Sequence, residues 1–169
     1  PQRVFYYFEQ IAAIPHGSRN TKAISDFLVN FAKEHNLVWY QDENNNVVIV
    51  KEASAGYEAA EPIIIQGHMD MVCEKEKGVD IDFEKDGVKL YIVGDFLKSE
   101  GTTLGGDDGI AVAYALALLD SQEIAHPKLE VVITVDEEIG MLGAEAIDLS
   151  MLTGHTMLNI DSDVEGSFL

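Results

Sequence analysis

The sequence has a single cysteine, Cys73, so no internal disulfide can form. That usage fits a reducing compartment, and the expected location is the cytoplasm. No apolar run approaches the roughly 18 residues that a transmembrane helix needs. The first residues lack a basic stretch followed by an apolar core, so no signal peptide is visible. Basic residues are scarce: 11 Lys and Arg stand against 30 Asp and Glu, for a formal net charge of -19. This balance argues against nucleic acid and against membranes as partners, since anionic surfaces recruit clustered Lys and Arg. Most of the acids are expected to be ordinary solvated residues. The functional question is which few are forced together in a cleft.

What is present is enough for one domain with a real core: 169 residues, 47% of them hydrophobic. The chain begins at Pro1 and ends at Phe168-Leu169, just after a turn-like stretch at 162–166, and is expected to be a piece of a longer domain. Residues 4–14 read as a helix that stops before Pro15. Residues 21–35 read as a second helix, with Ile24, Phe27, Leu28 and Phe31 at helical spacing and Asn20 or Thr21 as its cap. Residues 38–41 and 47–51 form a predicted hairpin around an Asp- and Asn-rich turn. Further strands are predicted at 62–67, 88–93, 129–135 and 156–160. Between them lie an Ala-rich helix at 107–120, apolar enough to be mostly buried, and a short helix at 141–147. Strands and helices alternate from residue 62 onward, which predicts the α/β class, with a three-layer α/β/α arrangement around a mostly parallel central sheet.

Three apolar strands end in ionisable residues: His68-Met69-Asp70, Asp136-Glu137-Glu138 and Asp161-Ser162-Asp163. In an open parallel sheet, ligands bind beyond the carboxyl ends of the strands, so these three ends are expected to meet. The Gly-rich run 101–109 can bring Asp107 to the same edge. Each piece alone is weak. A lone histidine after a strand is more often structural than a ligand, and acid doublets are usually solvated. Their joint position is the stronger signal. Several carboxylates at one edge repel unless a cation resolves the conflict. Imidazole and carboxylates without a thiolate cluster suit zinc, manganese or cobalt.

His68-x-Asp70 has the spacing to put an acid behind a metal-binding imidazole, where it would fix the ring. The neighbours Glu137 and Glu138 point opposite ways in an extended chain. One can then face a metal and the other a substrate or water, but spacing does not say which. A phosphate cradle at 101–109 is excluded: the run lacks the Lys and Ser/Thr of a P-loop, and Asp107-Asp108 would repel phosphate.

At these residues the chain resembles the M20 metallopeptidases. Gly67-His68-Met69-Asp70-Met71-Val72, Gly105-Gly106-Asp107-Asp108-Gly109, Asp136-Glu137-Glu138-Ile139-Gly140 and Asn159-Ile160-Asp161-Ser162 occur in the family's order. Met71-Val72-Cys73-Glu74-Lys75 and the run from Gly101 to Gly105 look like its aminoacyl-histidine (Xaa-His) dipeptidases, also called peptidase D. The resemblance covers essentially the whole chain. It implies a zinc-exopeptidase-like fold, here incomplete, and two divalent metal ions, zinc or alternatively manganese or cobalt. His68 and Asp161 would share one ion, Asp107 would bridge both, and Glu138 would bind the second. Asp70 would orient His68. Glu137 would be the general base that activates a water between the two ions and then protonates the leaving amine. A cis peptide between Asp107 and Asp108 is also implied.

The implied substrates are small peptides, dipeptides ending in His above all, and the implied complete protein has room for a homodimer. The family's second metal-binding histidine and its lid domain fall outside these residues. Residues 1–169 are thus expected to be the N-terminal portion of the catalytic domain, and inactive alone. Other M20 activities, such as tripeptidase, carboxypeptidase or aminoacylase, would share the metal chemistry. A non-catalytic module that binds metal or peptide is an alternative of another class, though it has no need of a base beside Glu138.

Overall fold

Runs of β-branched residues and runs of Ala and Leu sort this chain into strands and helices. The computed structural model describes residues 2–162; the expected turn at 162–166 and Asp163 lie outside this range, apart from Ser162. The chain opens with α1 (Gln2–Ala12) and α2 (Lys22–Glu34), followed by the hairpin β1 (Val38–Gln41) and β2 (Val47–Lys51). Strand β3 (Ile63–His68) comes next, then a second hairpin, β4 (Leu90–Val93) and β5 (Phe96–Ser99). Helix α3 (Gly106–Asp120), β6 (Leu129–Thr134), α4 (Leu142–Ala146) and β7 (Thr156–Asn159) complete the order.

The main sheet has the order β1-β2-β6-β3-β7. It is mixed: β6-β3 and β3-β7 are parallel, while β1-β2 and β2-β6 are antiparallel. Helices α1, α2 and α3 share a core with one face of this sheet, built from Val47, Ile49, Ile65, Val131 and Ile133 on the strands and Leu28, Leu116 and Leu119 on the helices. The opposite face carries Val48, Val50, Ile64 and Val132, covered by Ile147, Met151 and Leu152. Three layers result, the second covering layer being thin.

Helix α3 shows no polar stripe because it is enclosed. It packs on β3 and β6 below and on α1 above, with Ala111, Val112, Ala115 and Leu116 all buried. Two expectations need correction. The run at 88–93 is only the first arm of a hairpin, and Gly94-Asp95 turns the chain into β5. Thr21 stands at the N-cap of α2, but its side chain makes no capping bond.

Candidate metal and catalytic site

Because β3 lies between β6 and β7 and runs parallel to both, the carboxyl ends of all three strands reach the same edge. The register pairs His68 with Thr134 and Gln66 with Asn159. Helix α3 starts at this edge, and Gly67 is what lets it come so close. A Cβ on Gly67 would stand 2.6 Å from Asp108 Oδ2 and 2.8 Å from Ala111 Cβ. Gly105, at φ 72, turns the chain into α3, and the Asp107-Asp108 peptide is cis.

His68 is buried and held at three points. Its amide donates to Asp108 Oδ2 at 3.1 Å. Its ring Nδ1 donates to the main-chain carbonyl oxygen of Asp70 at 3.0 Å and lies 3.4 Å from the Asp70 carboxylate. A carbonyl oxygen can only accept, so the Nδ1 proton is assigned by this contact. The other nitrogen, Nε2, is thereby left to face the acids. It lies 3.0 Å from Asp107 Oδ1 and 3.8 Å from Glu137 Oε2. Burial lowers the His68 pKa, but the Asp70 bond and the charges of Asp108 and Asp70 outweigh it and raise the value to about 9.

Asp70 is the hub behind the ring. Its Oδ1 accepts the Glu137 amide at 3.0 Å, and its Oδ2 accepts the Glu138 amide at 3.4 Å and the Ser18 hydroxyl at 2.8 Å. Burial would raise its pKa, yet the bonds from His68, Ser18 and the Glu137 amide hold it below the usual carboxylate range. Asp108 shows the reverse. It is buried, and burial pushes its pKa up to about 8 against the partial relief given by the His68 amide and charge. Burial, and then the Asp107 charge, raises Glu138 as well.

His68, Asp107 and Glu138 each offer a ligand atom, and these atoms lie within 4.8 Å of one another. One nitrogen and two carboxylate oxygens, with the ring's Nε2 turned toward the acids, make a donor set that fits zinc, manganese or cobalt once Nε2 gives up its proton. Asp161 follows β7, is exposed, and is not part of this group of three, although its charge falls on Asp108. Glu137 sits beside the group, half-buried. The imidazole is sealed while the Asp107 side chain is 62% exposed, so the cluster is open to a molecule arriving from solvent.

The alternation argument for Glu137 and Glu138 does not apply, because residues 136–141 are a turn and not extended chain. Asp136 and Met141 both have positive φ, at 55 and 57 degrees, and the Gly140 and Met141 amides return to the Glu137 carbonyl. This turn is pinned from outside by residues without any sequence signal of a role. Asn46, from the β1-β2 turn, accepts the Val135 amide and donates to the Gly143 carbonyl. Ser18 and Arg19, between α1 and α2, reach Asp70 and Asp136.

Over 166 residues, 98% of its length, the chain is 39% identical to the cytosol non-specific dipeptidase of Escherichia coli (strain K12). It spans about a third (34%) of the length of that curated relative. Among solved structures, the aminoacylhistidine dipeptidase from Vibrio alginolyticus superposes with a TM-score of 0.95 at 40% identity, over 98% of this chain and 34% of that one. A tripeptidase from Staphylococcus aureus superposes with a TM-score of 0.79 at 26% identity, over 96% of this chain and 44% of that one. No family model matches the chain.

Proposed function

Because this chain belongs with the M20-like peptidases as a homologue of their dipeptidases, we propose that its site hydrolyses the peptide bond of dipeptides, those ending in His among them, with two divalent metal ions, zinc foremost. One observation carries this reading: His68, Asp107 and Glu138 converge within 4.8 Å while the far side of the imidazole is fixed by Asp70. In this reading His68 and Asp161 would serve one ion and Glu138 the other, with Asp107 available to both. When bound, such ions supply Lewis acidity, which polarises a peptide carbonyl and makes water easier to deprotonate.

The chain's own residues do the rest. Asp70 keeps the His68 ring in one orientation and one tautomer. It also fixes the amides of Glu137 and Glu138, so the two carboxylates leave the turn from a held backbone. Glu137 is the general base: its carboxylate takes a proton from water and returns it to the amine of the departing residue. Its place near His68 Nε2, outside the group of three donors, suits a base that does not share the ligand role. The chain spans about a third of its relative, and we assign turnover to the full gene product, with these residues as the N-terminal portion of its catalytic domain.

The test is the Glu137→Gln variant of the full gene product, assayed on dipeptides with and without C-terminal His. Turnover is expected to fall at least about a hundredfold, in keeping with the usual weight of a general base, while zinc content stays unchanged. Undiminished turnover would refute the role of Glu137. A wild-type product that cleaves no dipeptide would refute the reading as a whole.

A further inference from the structure

Residues 13–21 join α1 to α2 and lie outside the sheet, yet they cross directly behind the site. Gly17 bridges Met71 in the parallel sense, and the Met71 amide donates to the His16 carbonyl at 3.1 Å. A side chain at Gly17 would meet Cys73 Sγ at 2.6 Å, so the segment lies flush on the chain that leaves His68. His16 is buried, with its Nδ1 at 2.6 Å from the Ile14 carbonyl oxygen. The segment is thus anchored before it reaches the acids.

Two successive residues then make contact. The Ser18 hydroxyl donates to Asp70 Oδ2 at 2.8 Å, and the Arg19 amide donates to Asp136 Oδ1 at 2.6 Å. Arg19 and Asp136 both adopt the left-handed backbone region, at φ 68 and 55, where few non-glycine residues sit. Asp70 is 1% exposed, so its carboxylate depends on protein donors. Three of these, His68 Nδ1 and the amides of Glu137 and Glu138, belong to the site itself. The fourth, Ser18, comes from outside. On Oδ2 the Glu138 amide is long at 3.4 Å, so the 2.8 Å hydroxyl contact is the closer constraint on that oxygen.

We infer that Ser18 is a positioning residue: its hydroxyl sets the plane of the Asp70 carboxylate and, through it, the His68 ring and the backbone from which Glu137 and Glu138 project. The adjacent Arg19 amide sets the start of the same turn through Asp136. The inference rests on the peptidase reading for its effect on turnover and on the group of three donors for its effect on metal affinity.

The experiment compares Ser18→Ala, Ser18→Cys and Ser18→Thr with wild type in the full gene product, reading zinc affinity by calorimetry, kcat and KM on a dipeptide, and thermal stability. Ser18→Ala should weaken zinc binding and lower kcat by about tenfold, the lower end of what residues supporting a metal ligand contribute. KM should stay within about twofold, since no substrate contact is removed. Ser18→Cys, close to serine in shape but a weak donor, should show the same loss even if the alanine variant folds poorly. Ser18→Thr keeps the hydroxyl and should restore both zinc affinity and kcat. Variants without the hydroxyl that lose stability but keep zinc affinity and kcat would overturn the role and leave Ser18 a loop-stabilising residue. A wild-type product that neither binds zinc nor cleaves dipeptides would overturn both readings. A wild type that does both, matched by Ser18→Ala and Ser18→Cys, would overturn this inference alone.

Discussion

His68 and Asp70 are joined twice, by Nδ1 to the main-chain oxygen of Asp70 at 3.0 Å and by Nδ1 to its carboxylate at 3.4 Å. One residue thus sets both the tautomer and the tilt of the ring, while the same carboxylate accepts the amides of Glu137 and Glu138. Asp70→Ala should therefore disturb both halves of the donor group. Zinc affinity and kcat are each expected to fall by about 10- to 100-fold. Asp70→Asn, which keeps the shape but presents an amide nitrogen on one side, should be intermediate. Calorimetry and steady-state kinetics check both variants, and a fall in activity with unchanged zinc affinity would separate Asp70 from His68.

Zinc binding should release protons near neutral pH. With its pKa raised to about 9, His68 carries protons on both nitrogens at neutral pH, and a cation at Nε2 must displace one. Calorimetry in buffers of different ionisation enthalpy should show about one proton released by this group, and apparent affinity should rise with pH up to about 9. The metal-free protein has the opposite dependence. A pKa raised from 6.5 to about 9 contributes stability fully below 6.5, and that contribution is lost as pH rises through 9. Buffer-independent heats would contradict the assigned protonation.

Gly67→Ala should destabilise the fold and loosen the site together. The new methyl would stand 2.6 Å from Asp108 Oδ2 and 2.8 Å from Ala111 Cβ, so either the start of α3 or the end of β3 must move. A cost of about 1–3 kcal/mol is expected from such overpacking. Denaturant melts measure the cost, and zinc titration of the same variant shows whether the shift reaches His68, whose amide bonds to Asp108.

Glu130 gives a prediction far from the site. It is fully buried on β6, paired with Lys128 and bonded by the amides of Thr153 and Gly154 and the Thr153 hydroxyl. Burial opposes ionisation, but these partners outweigh it and hold its pKa at about 2, below the ordinary 4.5. A depressed pKa contributes stability above 4.5 that is lost as pH falls towards 2. Glu130→Gln should cost about 3 kcal/mol at neutral pH, and its difference from wild type should narrow below pH 4.5. Urea melts across that range are the check. A constant difference would mean that the charge of Glu130 is not what secures the chain at Thr153.

The sequence made the sheet legible where hydrophobic pattern and turn chemistry agree. The hairpin of β1 and β2 lies at 38–41 and 47–51 as read, and the buried strand at 62–67 lies within one residue of Ile63–His68. The strand β5 escaped because its residues alternate between exposed and half-buried and present no apolar run, although Gly94-Asp95 is a recognisable two-residue turn. Motif order brought His68, Asp107 and Glu138 into view together. Ser18 and Asn46 were not visible, because nothing local tells which of many small polar residues will bond to a partner 52 or 89 positions away. The turn at Glu137-Glu138 departs from the extended chain expected there because a positive φ at Asp136 leaves no mark on a non-glycine residue.

The central claim is that His68, Asp107 and Glu138 belong to the ligand set of two divalent ions. Anomalous diffraction at the zinc edge, from crystals of the full gene product grown with zinc, tests it most directly. The expected result is two peaks, one about 2.0–2.2 Å from His68 Nε2 and a carboxylate oxygen of Asp107, the other at about the same distance from carboxylate oxygens of Asp107 and Glu138, the usual zinc–nitrogen and zinc–oxygen distances. No peak at these residues, or a peak ligated elsewhere with His68 still bonded to Asp107, would contradict it.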